Sequence, residues 1–191
     1  TATGWVRDAA ARYVRAIYTR FAVTLVPSEQ LAGVLRDWGV REVRAVDLGV
    51  DTQLFNPLPD DGAETRARLG IPPTRKVLLY IGRLAQEKNV ETLFGAFERL
   101  RARGDFHLLV VGDGAQRGLV NRLRETGDDV TWQSYCENSL ELARRYRSAD
   151  IFVHPGVQET FGFGALEGQA WAAPVGGIGR RHGARPTLPD A

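Results

Sequence analysis

The chain has a single cysteine, Cys136, so no disulfide can form within it. That fits a reducing compartment and does not require one. Methionine is absent at every position, the first included. The chain is therefore expected to be a segment of a larger coding sequence. Lysine occurs only as Lys76 and Lys88, the other basic residues being arginine. The net charge is +2 and the arginines are spread along the chain, which argues against nucleic acid as a partner. No apolar run approaches the roughly 20 residues that span a bilayer. Arg7, Asp8, Arg12 and Arg15 interrupt the first turns, which excludes the apolar core of a signal peptide.

What is present is the make-up of a globular protein able to bury a core, with 43% hydrophobic and 25% charged residues. Trp5, Ala9, Tyr13, Ile17 and Phe21 recur at four-residue steps and predict a helix over 5–22. A basic helix of this kind can lie on an anionic membrane. Its apolar face is narrow and alanine-rich, so packing on a sheet is the expected arrangement. Val23 to Val26 reads as a strand, and Ser28 is placed to cap a helix over 29–38 that Gly39 ends. Val43 to Val46 is a second strand. Pro57 to Gly62 reads as a linker or domain boundary.

Beyond it, strand and helix alternate. Strands are expected at 76–81, 106–111, 130–132 and 151–153, and helices at 63–69, 89–103, 115–126, 138–147 and from 163. Lys76 to Ile81 and Phe106 to Val111 are nearly continuous apolar runs, as in strands covered on both faces. The alternation predicts βαβ units and an α/β, Rossmann-like, doubly wound parallel sheet. Residues 176–191 show no period and are expected to be irregular.

Three strand-to-helix connections carry residues of chemical use. In an open α/β sheet they share the carboxyl edge, where ligands bind. The first runs from Gly82 to Asn89 and holds Arg83 and Lys88 just before a helix, with Asn89 as its expected N-cap. An arginine fork and a lysine point charge there suit a diphosphate. Paired with Glu87, they would be solvated surface charges. The second, Gly112-Asp113-Gly114, allows a backbone to approach a ligand closely. As a dinucleotide fingerprint it is incomplete, because the third glycine is misplaced and no ribose-binding acid follows at the right distance.

The third connection runs from His154 to Glu167 and sets Glu159 and Glu167 about a glycine-broken turn. Alone, the two acids suit a glycosidase pair, a metal site or surface charge. A metal is disfavoured, since only His154 is near and the spacing fits no standard site. The helix start offers free N–H groups as a seat for phosphate. His107 and Cys136 are expected to be structural. Together the three connections supply cations for a diphosphate and acids for ribose and sugar hydroxyls, the inventory of a nucleotide-diphosphate-sugar site.

The motifs VPSEQL (26–31), GVDTQLFNP (49–57), YIGRLAQEKN (80–89), VVGDGAQR (110–117), RSADIFVHPGVQETFGFGALEGQA (147–170) and APV (173–175) occur in this order. As a set they resemble the retaining glycosyltransferases of family 4, with the GT-B fold. The resemblance implies the end of an N-terminal acceptor domain and linker at 1–56, most of a nucleotide-sugar donor domain at 57–175, and an irregular tail at 176–191. It implies Arg83, Lys88, Gly162 and Phe163 at the donor diphosphate. Gly82, Gly112, Asp113, Gly114 and Phe161 would line the donor cleft. Glu159 would be the catalytic-site acid on the sugar hydroxyls, and Glu167 would bind the ribose. The implied reaction moves a hexose from a UDP- or GDP-sugar to an acceptor hydroxyl with retention. No cofactor or metal takes part in it.

The implied acceptor is a lipid or glycan. The implied location is cytoplasmic, with peripheral contact at the inner face of the membrane. The pattern departs at Ser134, where the family often has glycine, at the bulky Trp171, and after Val175. These departures, with the missing acceptor half, motivate the alternatives of a catalytically dead nucleotide-sugar-binding module or a truncated fragment without turnover. A Rossmann oxidoreductase or epimerase is a weaker reading.

Overall fold

A computed structural model describes residues 2–46, 48–57, 61–136, 138–156, 163–170 and 175–177. The chain divides into two compact units, 1–49 and 50–191. The split falls at the start of 50–56, the segment expected to lead into the linker. Phe55 of that segment is buried in the core of the second unit.

The first unit comprises α1 (Ala2–Tyr18), β1 (Thr24–Val26), α2 (Glu29–Asp37) and β2 (Val43–Ala45). β1 and β2 pair in parallel, with Thr24 opposite Val43. Ser28 caps α2 as expected, its hydroxyl accepting from Leu31 N at 3.2 Å. Gly39 ends the helix at φ +84°, a conformation glycine adopts without a steric penalty. Val26, Ala32, Leu35, Val40 and Val43 form the core, with Val14 of α1 against it. The expected packed stripe of α1 is therefore corrected. Trp5, Tyr13 and Phe21 are exposed at 68%, 69% and 60%, and Val14 makes the core contact instead. The four-residue spacing marked a row of apolar residues and not the row that faces the sheet.

The second unit runs α3 (Gly62–Arg68), β3 (Lys76–Ile81), a single 3-10 turn (Gln86–Lys88), α4 (Val90–Arg101), β4 (Phe106–Val111), α5 (Arg117–Glu125), β5 (Val130–Gln133), α6 (Ser139–Arg147), β6 (Ile151–His154), α7 (Phe163–Ala170) and β7 (Val175–Gly177). The sheet order is β5-β4-β3-β6-β7, and every pairing is parallel. Strand order reverses at β3, so the crevice outside the ends of β3 and β6 is the place where such a sheet takes a ligand.

Period-2 alternation sorts the two faces of the sheet. Leu78, Tyr80, Leu108 and Val110 pack under Leu93, Phe97, Val120 and Leu123 of α4 and α5. Val77, Leu79, Leu109 and Val111 pack with Ala143 and Tyr146 of α6 and with Phe55 and Ile71. The sequence-predicted strands and helices are thus present, and the fold class is the expected Rossmann-like one. One segment differs. Gly176 and Gly177, placed in the irregular tail, belong to β7 and pair with Val153 and His154. A strand edge needs backbone N–H and C=O groups rather than side chains, so glycines can extend the ladder without any apolar signal.

His107 near the start of β4 is structural, as expected. It is 2% exposed, and its Nε2 lies 2.8 Å from Thr131 Oγ1. Burial pulls its pKa from 6.5 down to about 4. The unfolded chain therefore binds a proton there that the folded chain does not. Stability from this site should be full above pH 6.5 and fall steadily from pH 6.5 to 4. Denaturant midpoints across that range should show the slope, and His107→Gln should flatten it.

Candidate functional site

The three connections singled out from the sequence leave the carboxyl ends of β3, β4 and β6, the central strand of the sheet and its two neighbours. The first two are bonded to each other, backbone to backbone. Gly82 N donates to Val111 O at 3.0 Å, and Leu84 N donates to Asp113 O at 2.9 Å. In return Gln116 N donates to Leu84 O at 2.8 Å. Gly112 N also reaches Gln133 O at 2.8 Å, and Trp132 Nε1 donates to Gly112 O at 2.8 Å. Both loops are therefore fixed on the sheet edge before any ligand arrives.

The glycines make this approach possible. A Cβ on Gly112 would overlap Gly82 O, and one on Gly114 would overlap Leu84 O. Gly112 also has φ +137°, where a side chain is strained. Asp113 Oδ1 accepts from Gly114 N at 2.7 Å, so its carboxylate steadies the turn. Gly82, Gly112, Asp113 and Gly114 thus lie together on this edge.

Arg83 and Lys88 sit on the first loop. Tyr80 Oη donates to Arg83 O at 2.8 Å and holds the loop's start down on the sheet. The Arg83 side chain is 72% exposed and its Nη2 lies 2.7 Å from Glu87 Oε1, the pairing anticipated as the simpler reading. Lys88 is half-buried at the end of the 3-10 turn. Asn89 does not cap α4. It adopts a left-handed conformation at φ +54°, and its side chain makes no capping bond. Its Nδ2 instead donates to Pro155 O at 3.3 Å, while its Oδ1 accepts from Thr92 Oγ1 at 2.8 Å. Asparagine tolerates this backbone better than other residues with a Cβ, and the amide thereby ties the first loop to the chain leaving β6.

Glu159, Phe161 and Gly162 of the third connection lie outside the described residues, as does Trp171. Phe163 is the first residue of α7. Glu167, on the same helix, is half-buried, and burial raises its carboxyl above its ordinary value. Its Oε2 accepts a hydrogen bond from Tyr146 Oη at 2.8 Å. Sequence reasoning missed Tyr146, which reads as one apolar position on α6. Its signal was only that a buried phenol needs a hydrogen-bond partner.

At the opposite, amino edge of the sheet lies a cavity of about 350 Å³, lined by Gly62, Ala63, Arg66, Ala67, Ile71, Pro73 and Arg147. Its two cations are neutralised. Arg66 bonds Asp150 and Ser148 O, and Arg147 forks onto Asp61. Both guanidinium groups are thus committed to internal partners.

A parallel sheet ordered β5-β4-β3-β6-β7, with glycine-tight and cationic connections at its carboxyl edge, defines a Rossmann-like domain of the GT-B type. Residues 75–182 match the family described as Glycosyl transferases group 1, and the chain belongs to that family. The resemblance drawn from the ordered motifs is borne out at the level of family and fold.

A GDP-mannose-dependent alpha-mannosyltransferase of Corynebacterium glutamicum is 34% identical over 171 residues, covering 90% of this chain and 39% of that protein. A D-inositol 3-phosphate glycosyltransferase of an Arthrobacter species is 38% identical over 147 residues, covering 71% and 34%. The chain thus spans about two fifths or less of these curated relatives. Among solved structures, a sucrose-phosphate synthase of Thermosynechococcus elongatus superposes with a TM-score of 0.70 at 30% identity, over 89% of this chain and 44% of that one. The Anabaena protein HepE, solved with UDP and glucose, gives 0.74 at 19% identity over 89% and 48%, a likeness of fold. No helix among the described residues is long and apolar enough to cross a membrane.

Proposed function

We propose that this chain is the donor-binding part of a hexosyltransferase. It would move a hexose from a UDP- or GDP-sugar to a lipid or glycan hydroxyl with retention of configuration. The observation that carries the reading is the bonded pair of loops, Gly82–Asn89 and Gly112–Gln116, which fixes Arg83 and Lys88 at the strand-order reversal. The family match supports transfer chemistry, and the mannosyltransferase relatives support a hexose donor.

In this reading Arg83 and Lys88 take the diphosphate, Arg83 exchanging Glu87 for phosphate oxygens. Gly162 and Phe163 are read as further diphosphate contacts, and Phe163 opens α7, whose first turn carries the positive end of the helix dipole. Gly82, Gly112, Asp113, Gly114 and Phe161 line the cleft. Glu159 holds the sugar hydroxyls at the reacting centre, and Glu167 accepts from the ribose. Two cations and a helix start stabilise the departing diphosphate without a metal or other cofactor. The first unit is the end of the acceptor domain, and the site of action is cytoplasmic, at or near the inner membrane face.

Titration of GDP- and UDP-hexoses into the chain and its Arg83→Ala and Lys88→Ala variants tests this. Each substitution should weaken binding by about 1.5–3 kcal/mol, the value of a charge-assisted contact. Unchanged affinity in both variants would refute the diphosphate assignment. Donor binding by the complete protein with no transfer to any acceptor would identify a module that has lost turnover.

A further inference from the structure

Glu167 is held from one side by a residue that cannot easily move. Tyr146 of α6 is 1% exposed. Its ring meets Phe55 edge-on, with centroids 5.7 Å apart, and Phe152 at a tilt, at 5.3 Å. The same Phe152 ring seats α7, because a Cβ on Gly168 would come within 3.0 Å of its Cδ1. Phe152 therefore supports both members of the Tyr146–Glu167 pair, one from each helix. Burial pushes the phenol's pKa up, and the neighbouring Glu167 pushes it further, so the phenol stays protonated and stays a donor.

We propose that Tyr146 is the positioning residue of the ribose site. Its O–H takes one lone pair of Glu167 Oε2 and locks the carboxylate, leaving Oε1 and the other lone pair of Oε2 to accept from the two hydroxyls of a vicinal diol. The proposal rests on Glu167 being the ribose contact, as read above. A carboxylate locked beforehand loses no rotamer freedom when the nucleotide binds, which is the advantage of preorganisation.

Acidity gives a readout that a merely structural role would not move. Burial raises the Glu167 pKa and the Tyr146 O–H lowers it. Glu167 must be ionised to accept from two hydroxyls. Affinity should therefore fall as pH drops through its pKa. Removing the Tyr146 O–H raises that pKa, so the acid limb should move to higher pH.

The experiment is calorimetric titration of the full chain with GDP, UDP and their 2′,3′-dideoxy analogues from pH 4.5 to 8. Tyr146→Phe keeps the ring packing. It should weaken the tighter of GDP and UDP by about three- to tenfold, the worth of one net hydrogen bond. It should also shift the acid limb upward and leave the dideoxy analogue unaffected. Glu167→Asp keeps the charge but withdraws the carboxylate from Tyr146. It should likewise lose the preference for the diol. Two results overturn the inference: an equal loss on the dideoxy analogue in Tyr146→Phe, or Glu167→Asp retaining the full diol preference. Wild type that prefers the diol, with Tyr146→Phe unchanged in affinity and acid limb, sinks this inference alone. Wild type indifferent to the diol sinks the ribose assignment of Glu167 and this inference with it.

Discussion

Replacing Asp61 with alanine should destabilise the second unit by about 3–5 kcal/mol, the cost of orphaning a buried charge. Arg147 is 5% exposed. Its Nε and Nη2 donate to the two Asp61 oxygens, at 2.5 and 3.0 Å, and its Nη1 reaches Leu54 O at 3.3 Å. Arg144 Nε adds a third bond to Asp61 at 3.2 Å. The Arg147 fork, with Arg144 beside it, holds the Asp61 carboxyl below its ordinary value. Its contribution should therefore persist at neutral pH and vanish as pH falls through that lowered value. Leaving Arg147 without its acid is costly because the guanidinium can neither shed its proton nor reach water. The exposed pair Glu29–Arg36 is the control, with side chains 72% and 47% exposed. Its loss should cost about 1 kcal/mol or less. Denaturant unfolding followed by circular dichroism measures both. Equal small costs would show that the Asp61 fork does not brace α3 against α6.

Gly112→Ala should remove about 3–5 kcal/mol from the same unit and abolish donor binding with it. Two penalties combine. The backbone at φ +137° strains any side chain, and the added methyl overlaps Gly82 O. Relief requires the Gly82–Asn89 loop to lift off the Gly112–Gln116 loop. That would break the Leu84 N to Asp113 O bond and displace Arg83 and Lys88 together. Gly118→Ala is the comparison, because nothing lies within 4 Å of its added methyl in α5. Gly118 is the second residue of α5, so the change should be neutral to stabilising, by about 1 kcal/mol at most. Melting curves and nucleotide titration of the two variants separate the outcomes. A Gly112→Ala protein with normal stability and normal nucleotide affinity would show that the two loops need not touch.

Much of the candidate site was legible because it lies in local chemistry. A glycine that must let a backbone pass, and a cation just before a helix, each leave a mark within a few residues. The bond from Asn89 to Pro155 left none, since it joins positions 66 residues apart. The sequence predicts a cap at Asn89 because capping is a common local use of asparagine. The left-handed backbone, which suits the same residue type, prevailed because it aims the amide at the end of β6. Tyr146 was invisible for a similar reason. Its apolar ring satisfied the helix pattern, and its hydroxyl acquires meaning only with α7 beside it.

The sequence by itself determined the alternation of strands and helices, the parallel class of the sheet, and the three connections that open on its carboxyl edge. These follow from hydrophobic period and turn chemistry, which act over a few residues. Only the tertiary structure decided which apolar row of α1 is packed, where the two units divide, and that Gly176 and Gly177 extend the sheet. It alone decided that Tyr146 holds Glu167 and that Asp61 holds Arg147. Those outcomes depend on which distant residues share a buried space, and burial is a property of the assembled core rather than of any segment.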